Sequence, residues 1–303
     1  MNSALGTAWP RAGLLGNPSD LYQGRGIGFT FENFQAVVTC RRSDDTERVA
    51  AEPTILQAAR SVVSDLGGDD GSQASFELSL TCDIPQQLGL SGSSAIIIAA
   101  LRSVYAFRQI TVPAERIAEL ALRAENEFMG ITAGPMDRVV QAHEGVIAMD
   151  FADGTVDRID PASLPPLAIL VDRHKGQDSG AVHAPVRDRW EAGDPAVRSV
   201  MAEFRPLVGR GLECLRSGDV RGLMECVDRN FDLRAQIFPI GARDGAVIDR
   251  VRSSGAASKF CGSGGAILAV HEDDAVLDQI CRTIVEEGFE GLRPRVTGRE
   301  VAR

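Results

Sequence analysis

The chain has 303 residues, 44% of them hydrophobic, and a formal net charge of −10, a length that suits two domains and an acidity that argues against nucleic acid or an anionic membrane surface as the main partner. Six cysteines without a C-x-x-C pair and only four histidines argue against a zinc site and read as reduced, mostly buried thiols of a cytoplasmic protein. The N-terminus lacks a basic segment followed by an apolar run, and no apolar stretch reaches the roughly 18 residues that a membrane span needs.

In chain order, residues 11–40 alternate apolar stretches with glycines and read as strands joined by tight turns. Residues 54–66 carry apolar positions at helical spacing, with Gly67-Gly68 as the stop, and residues 74–82 alternate as a strand does. A glycine- and serine-rich loop, residues 89–94, opens into an apolar run at 95–104 that reads as a buried helix. Pro113 starts a helix reaching about Phe128, and a loop with Gly130 and Gly134 leads to a helix over 136–143. Residues 145–159 read as a hairpin turning at Asp153-Gly154. The segment DPASLPP (160–166) marks a boundary between domains 1–160 and 161–303. A strand LAILV follows, then a mostly helical stretch from Val182 to about Ser253. Two short strands around Gly262–Gly265, a helix over 273–288 and a strand near 293–296 complete the chain. Strands and helices mix in both halves, which indicates an α+β architecture.

Three segments point to chemistry. Residues 85–95 read PQQLGLSGSSA. The glycines permit a tight turn and close approach to a ligand, and the helix start supplies unpaired N–H groups and a favourable dipole for phosphate. Ser93 and Ser94 add hydroxyls for phosphate oxygens or Mg²⁺. A serine-capped helix after a flexible turn fits the same residues, and the G-x-x-x-x-G-K-[ST] form is absent. Residues 124–145 place Glu125 near a helix end and Asp137 near the next helix start. Phosphoryl transfer needs such a pair, one carboxylate for the metal and one for the acceptor's hydroxyl proton; two solvated helix-end carboxylates are the plain alternative. Near the N-terminus, Arg11 enters an apolar strand and Asp20 follows in a loop. An arginine there can keep a buried carboxylate ionised, or simply flank the strand, and Asp20 can cap a turn.

Together with KFCGSGGA at 259–266, these segments resemble, in order and spacing over about residues 10–270, the kinase superfamily of galactokinase, homoserine kinase, mevalonate kinase and phosphomevalonate kinase (GHMP). R-x-x-L-x-G-x-x-x-D-x-Y at 11–22 and A-E-x-E-F-x-G-x-x-x-G-x-M-D at 124–137 are similar to galactokinase segments. G-L-L-G-N-P-S-D at 13–20, G-L-S-G-S-S-A at 89–95, A-G-x-x-D-R-V at 133–139 and D-S-G-x-V-H-x-x-V-R-x-R-W at 178–190 resemble plant-type glucuronokinases.

The resemblance implies a two-domain α+β fold with the active site in the cleft between the domains. It implies transfer of the γ-phosphate of ATP, with Mg²⁺, to a sugar hydroxyl by a sugar-1-kinase of glucuronokinase type, acting as monomer or homodimer. Asp137 is then the base or orienting charge, with Arg11 beside it. Gly89, Leu90, Ser91, Gly92, Ser93, Ser94 and Ala95 wrap the phosphates. Glu125 and Ser94, with Ser93 as the alternative, hold the metal. Asn17, Asp20, Asp137, Arg187, Gly262, Ser263 and Gly264 contact the substrate. Ser91 lengthens the loop by one residue relative to the G-L-G-S-S form, and Asn17-Pro18 replaces the Glu-His of galactokinase, so galactose does not follow. A uronate would need a cation, and Arg173, His174, Lys175, His183, Arg187 and Arg189 are at hand. A kinase of this fold with another sugar, cyclitol or small alcohol as acceptor is an alternative. So is a non-catalytic sensor, which has no need for Arg11, Glu125 and Asp137 together.

Overall fold

Burial sets the first strand: Ser3–Ala8 alternates exposed and buried positions, the period of an extended chain with one covered face. A computed structural model describes residues 2–43, 53–65, 76–131, 133–173 and 179–299. In chain order its elements are β1 (Ser3–Ala8), β2 (Arg11–Leu15), β3 (Arg25–Thr30), β4 (Ala36–Arg42), α1 (Thr54–Asp65), β5 (Phe76–Cys82), α2 (Gly92–Phe107), α3 (Ala114–Arg123) and α4 (Met136–His143). Then come β6 (Val146–Asp150), β7 (Thr155–Ile159), β8 (Leu167–Asp172), α5 (Ser179–Glu191), α6 (Pro195–Ser217), α7 (Val220–Ala235), α8 (Ala242–Ser253), β9 (Ala257–Phe260), β10 (Ala266–Val270), α9 (Asp274–Thr283) and β11 (Phe289–Leu292).

The chain forms two compact units that interleave along the sequence. The first comprises Met1–Pro10, Phe34–Pro85 and Ser91–Glu144, the second Arg11–Asn33, Gln86–Leu90 and Gly145–Arg303. A sequential division at residue 160 therefore cuts differently: residues 11–33, 86–90 and 145–160 fold with the C-terminal half.

In the first unit β1, β4 and β5 form an antiparallel sheet in the order β1-β4-β5. The run AIIIAAL makes α2 apolar on all sides, and Ala95 through Leu101 are all buried. Each fully buried Ile or Leu contributes about 1.5–3 kcal/mol relative to exposure. A side chain at Gly6 of β1 would collide with the backbone of α2 at Ala99, so this glycine sets how closely helix and strand pack. β1 lay outside the sequence expectations because its covered positions are only Ala4, Gly6 and Ala8, a weak alternation signal.

In the second unit two four-stranded antiparallel sheets run β2-β3-β6-β7 and β11-β8-β10-β9. The hairpin register Ile267↔Phe260 leaves residues 261–265 as its connecting turn. Phe231 of α7, Ile248 of α8 and Leu277 of α9 share one core with that sheet and its Phe289. The final strand is Phe289–Leu292 rather than 293–296: Pro294 lacks the N–H a ladder needs, and Val296 makes only an isolated bridge to Phe31. The stop at Gly67-Gly68 lies outside the described residues. Among the described residues no helix is long and apolar enough to cross a membrane.

Candidate active site

The phosphate-loop sequence divides at Leu90, whose predecessors pack with the second unit and whose successors with the first. In the first unit Ser91 precedes α2 with φ 60° and ψ 43°, a left-handed conformation that costs a non-glycine residue about 1 kcal/mol or more. Ser91 Oγ donates to Asp137 Oδ2 at 2.7 Å, and its carbonyl accepts from Ala95 N–H at 3.1 Å and from Gln141 Nε2 at 3.0 Å. The N–H of Ala95 is thus spent inside the helix. The Ser91 side chain makes no capping bond to α2, whose first N–H groups have no intrahelical partner, as at any helix start. Gly92 has an ordinary conformation and only van der Waals neighbours at an added Cβ, so the turn does not need a glycine there.

The serines separate cleanly. Ser93 Oγ donates to Glu125 Oε1 at 3.0 Å. Ser94, 1% exposed, instead donates to Gln141 Oε1 at 2.5 Å, and Gln141 in turn donates to Trp9 O at 2.8 Å. Glu125 lies in a π-helical turn, Ala124–Phe128, which continues α3 and closes with Met129 N–H bonded to Ala124 O at 3.1 Å. Such one-residue insertions recur at functional sites. The turn buries Glu125 to 1% exposure, where it forms an ion pair and a short hydrogen bond with buried Arg138. Arg138 also donates to Gly134 O at 2.7 Å and lies 3.7 Å from Asp137 Oδ2. The structure therefore gathers Ser91, Ser93, Glu125 and Asp137 around the start of α2, adds Arg138 and Gln141, and turns Ser94 away from Glu125. Arg138 stands next to Asp137 in the D-R-V motif, but nothing in the sequence says that it serves Glu125.

In the second unit Arg11, 3% exposed, donates through Nη1 to Gly89 O at 2.6 Å and Cys261 O at 3.0 Å. Its own N–H bonds Leu90 O at 3.2 Å. It therefore ties residues 86–90 to the turn 261–265. Gly89 (φ +70°) has no room for a side chain, because a Cβ would lie 2.7 Å from Gly264 O. A Cβ on Gly262 would collide with Gly89 O and the Arg11 guanidinium. Asn17 is held by α7: Asn230 Oδ1 accepts from Gly16 N–H at 2.7 Å, Asn230 Nδ2 donates to Asn17 O at 2.9 Å, and Arg234 Nη1 donates to Asn17 Oδ1 at 3.0 Å. Arg234 Nη2 donates to Ser263 O at 2.9 Å. Lys259 Nζ, also buried, donates to Gly13 O and Phe260 O, each at 2.7 Å.

Asp20 sits in a short 3₁₀ turn; burial, and then the Asp20 charge, push the Tyr22 hydroxyl up to about 12. Arg187 is 47% exposed and pairs with Glu191 one helical turn on, at 2.9 Å. Arg189 pairs with Asp194 at 2.8 Å and Arg173 with Glu290 at 3.9 Å. His174, Lys175 and the His183 side chain lie outside the described residues. Arg234 and Asn230 carry no sequence signal, because a polar residue on a helix reads as solvated, and Lys259 opens the KFCGSGGA motif without a role that the motif alone assigns.

The family profile described as the GHMP kinases N terminal domain matches residues 53–145. The chain is 35% identical to the probable glucuronokinase 2 of Arabidopsis thaliana, covering 86% of this chain and 82% of that protein. It is 34% identical to Arabidopsis glucuronokinase 1, covering 86% and 83%. In fold it is similar to the Lactococcus lactis galactokinase solved with galactose, with a TM-score of 0.81 at 13% identity over 97% of this chain and 93% of that one. With a relative this similar along most of both lengths, the chain belongs to the GHMP kinase family.

Proposed function

We propose that this kinase transfers the γ-phosphate of Mg²⁺-ATP to the anomeric hydroxyl of a uronic acid, D-glucuronate in the first instance. The observation that carries the reading is that neighbouring hydroxyls of one loop address two different carboxylates, Ser93 with Glu125 and Ser91 with Asp137. That division matches the two duties of the reaction, metal binding and handling of the acceptor's proton. The glucuronokinase relatives supply the sugar.

Ser93 Oγ and Glu125 Oε1, 3.0 Å apart, are a hydroxyl and a carboxylate oxygen. This sparse hard-oxygen set suits Mg²⁺, whose shell phosphates and water complete. Bound there, the ion would neutralise charge on the phosphate oxygens. Ser93 thereby takes the place first given to Ser94. Arg138 fixes Glu125 so that only one of its oxygens faces the serine. The N–H groups at the start of α2 hold phosphate oxygens. Asp137, oriented by Ser91, accepts or aligns the proton of the acceptor hydroxyl. Arg11 acts through the two loops that it ties, and its charge favours the anionic reaction partners. Asn17, Asp20 and the 262–264 turn contact the sugar. The free cysteines suit a reducing compartment, so cytoplasmic placement forms part of the proposal.

The test is an ADP-release assay across D-glucuronate, D-galacturonate, D-glucose, D-galactose and inositols. D-Glucuronate should give the highest kcat/KM. A neutral sugar or cyclitol that outperforms it would overturn the substrate assignment.

A further inference from the structure

Arg234 has surroundings that lack something its charge requires. It lies in the last turn of α7 and is 2% exposed. Its hydrogen-bond partners are the neutral oxygens of Asn17 and Ser263. Its guanidinium faces the rings of Phe238 and Phe260, with centroids 4.6 and 5.4 Å from the central carbon. Among the described residues its buried Nε has no acceptor. Among the described residues no carboxylate reaches it at ion-pair distance, whereas the comparably buried Arg138 is matched by Glu125.

A charge taken out of water without a counter-charge is costly. Burial lowers the Arg234 pKa to about 10, so the group stays cationic at neutral pH, and Asp244 offsets only part of this. Burial, and then the neighbouring Asp172, push the Asp244 carboxyl up from the ordinary carboxylate range. It lies at the same turn, its Oδ2 3.7 Å from where a Cβ on Gly264 would stand. Ser263, Gly264 and Asp244 are half-buried, so the turn above Arg234 meets solvent. Asn230, one helical turn before Arg234, fixes Gly16 and Asn17 and so holds the guanidinium's surroundings in place before any ligand arrives.

A fixed guanidinium with unused N–H groups selects a planar or tetrahedral oxyanion, a carboxylate or a phosphate. On the reading under Proposed function, on which this inference rests, phosphate belongs to the serine loop and the acceptor brings a carboxylate. Of the cations first considered for that carboxylate, Arg173, Arg187 and Arg189 are exposed and paired on the surface, and His174, Lys175 and the His183 side chain lie outside the described residues. We propose that Arg234 receives the carboxylate of the acceptor and sets the preference for a uronic acid over a neutral hexose, with Asn17 and Ser263 holding the guanidinium in position.

The test measures kcat/KM for D-glucuronate and D-glucose in the wild type, Arg234→Met and Arg234→Lys, with ATP affinity and thermal midpoint as controls for folding. The glucuronate-to-glucose ratio should fall about 10- to 100-fold in Arg234→Met, chiefly through KM for glucuronate, as expected for loss of a hydrogen bond between charged groups. Arg234→Lys should recover part of it. A merely bracing role would lower both sugars by the same factor and leave the ratio intact, which would overturn the proposal. Should Arg234→Met fail to fold, the Nε–H resonance of Arg234 in the wild type, assigned through Arg234→Lys, decides. It should shift with D-glucuronate and not with D-glucose, and an unmoved resonance under saturating glucuronate overturns the proposal. A wild type that prefers glucuronate while the ratio survives substitution removes Arg234 alone. A wild type without that preference removes the uronate reading and this inference with it.

Discussion

The two units handle buried charge in opposite ways. Around the start of α2, buried Glu125 meets buried Arg138, and each loop hydroxyl has a carboxylate or amide to address. Around the 261–265 turn, Arg234 and Lys259 are equally buried, yet both donate to neutral oxygens. The first arrangement pairs its charged side chains with one another and is built to position. The second keeps the Arg234 charge without a carboxylate at ion-pair distance among the described residues, and on our proposal that charge takes the anion of the acceptor. Substitutions in the first unit should therefore fail through geometry and turnover, and those in the second through ligand preference and pH.

The largest effect is expected at Asp137. Asp137→Asn keeps the shape and the acceptor for Ser91 but removes the charge, and turnover should fall by roughly 10²- to 10⁴-fold, with ATP binding little changed. Unchanged turnover on the true substrate would remove Asp137 from the chemistry. Next comes the buried pair. Glu125→Gln removes the buried counter-charge of Arg138 and should cost about 3–5 kcal/mol of stability. The double variant Glu125→Gln/Arg138→Met removes both charges. Its stability, read by urea titration, should return most of the way while its turnover does not. If turnover returns as well, Glu125 serves the fold and not the metal.

How much of this was legible in the sequence follows from the range of each interaction. α4 matches its expected span, residues 136–143, because local period and a preceding glycine loop define it. The hairpin β6–β7 was visible for the same reason, through Asp153-Gly154. The π-helical turn at Glu125 was not, since one inserted residue leaves the apolar period nearly intact. The loop serines were recognisable as a set. Which of them reaches Glu125 depends on the left-handed turn at Ser91, a backbone fact without a sequence signature. Arg234 was illegible because its meaning depends on Asn17 and Ser263, 217 and 29 residues away along the chain. Interleaving of the units at residues 11–33 and 86–90 likewise has no local mark.

A smaller effect separates the two serines. Ser93→Ala removes a hydroxyl oxygen next to Glu125, and the apparent affinity for Mg²⁺ should weaken about 10- to 100-fold, the span for a bond to a charged group. Ser94→Ala breaks the link to Gln141 and should lower thermal stability while leaving the Mg²⁺ dependence of the rate in place. The reverse outcome, with Ser94→Ala moving the Mg²⁺ curve, would return the metal to Ser94.

The smallest effect concerns Lys259 and probes the second unit without substrate. Burial pushes its amine down to about 7 from an ordinary 10.5. A Cys261 thiolate would raise it, but that thiol is itself pushed up to about 12 by burial and stays neutral. Arg234 and Arg11 press the amine further down. Below about pH 7 folded and unfolded chains both carry the proton, so the folded state bears the full burial cost. As pH rises from about 7 towards 10.5, the folded amine has released its proton while the unfolded one keeps it. The unfolded state then binds more protons, and stability from this site rises with pH across that window. Lys259→Met loses the bonds to Gly13 O and Phe260 O at every pH, which sets a constant offset. Against that offset the variant should gain relative to wild type at about pH 6 and lose ground steadily towards about pH 9. Thermal midpoints of both proteins across this range give the slope. A constant difference would mean that the amine keeps one charge state throughout, and the contrast between the units would then rest on Arg234 alone.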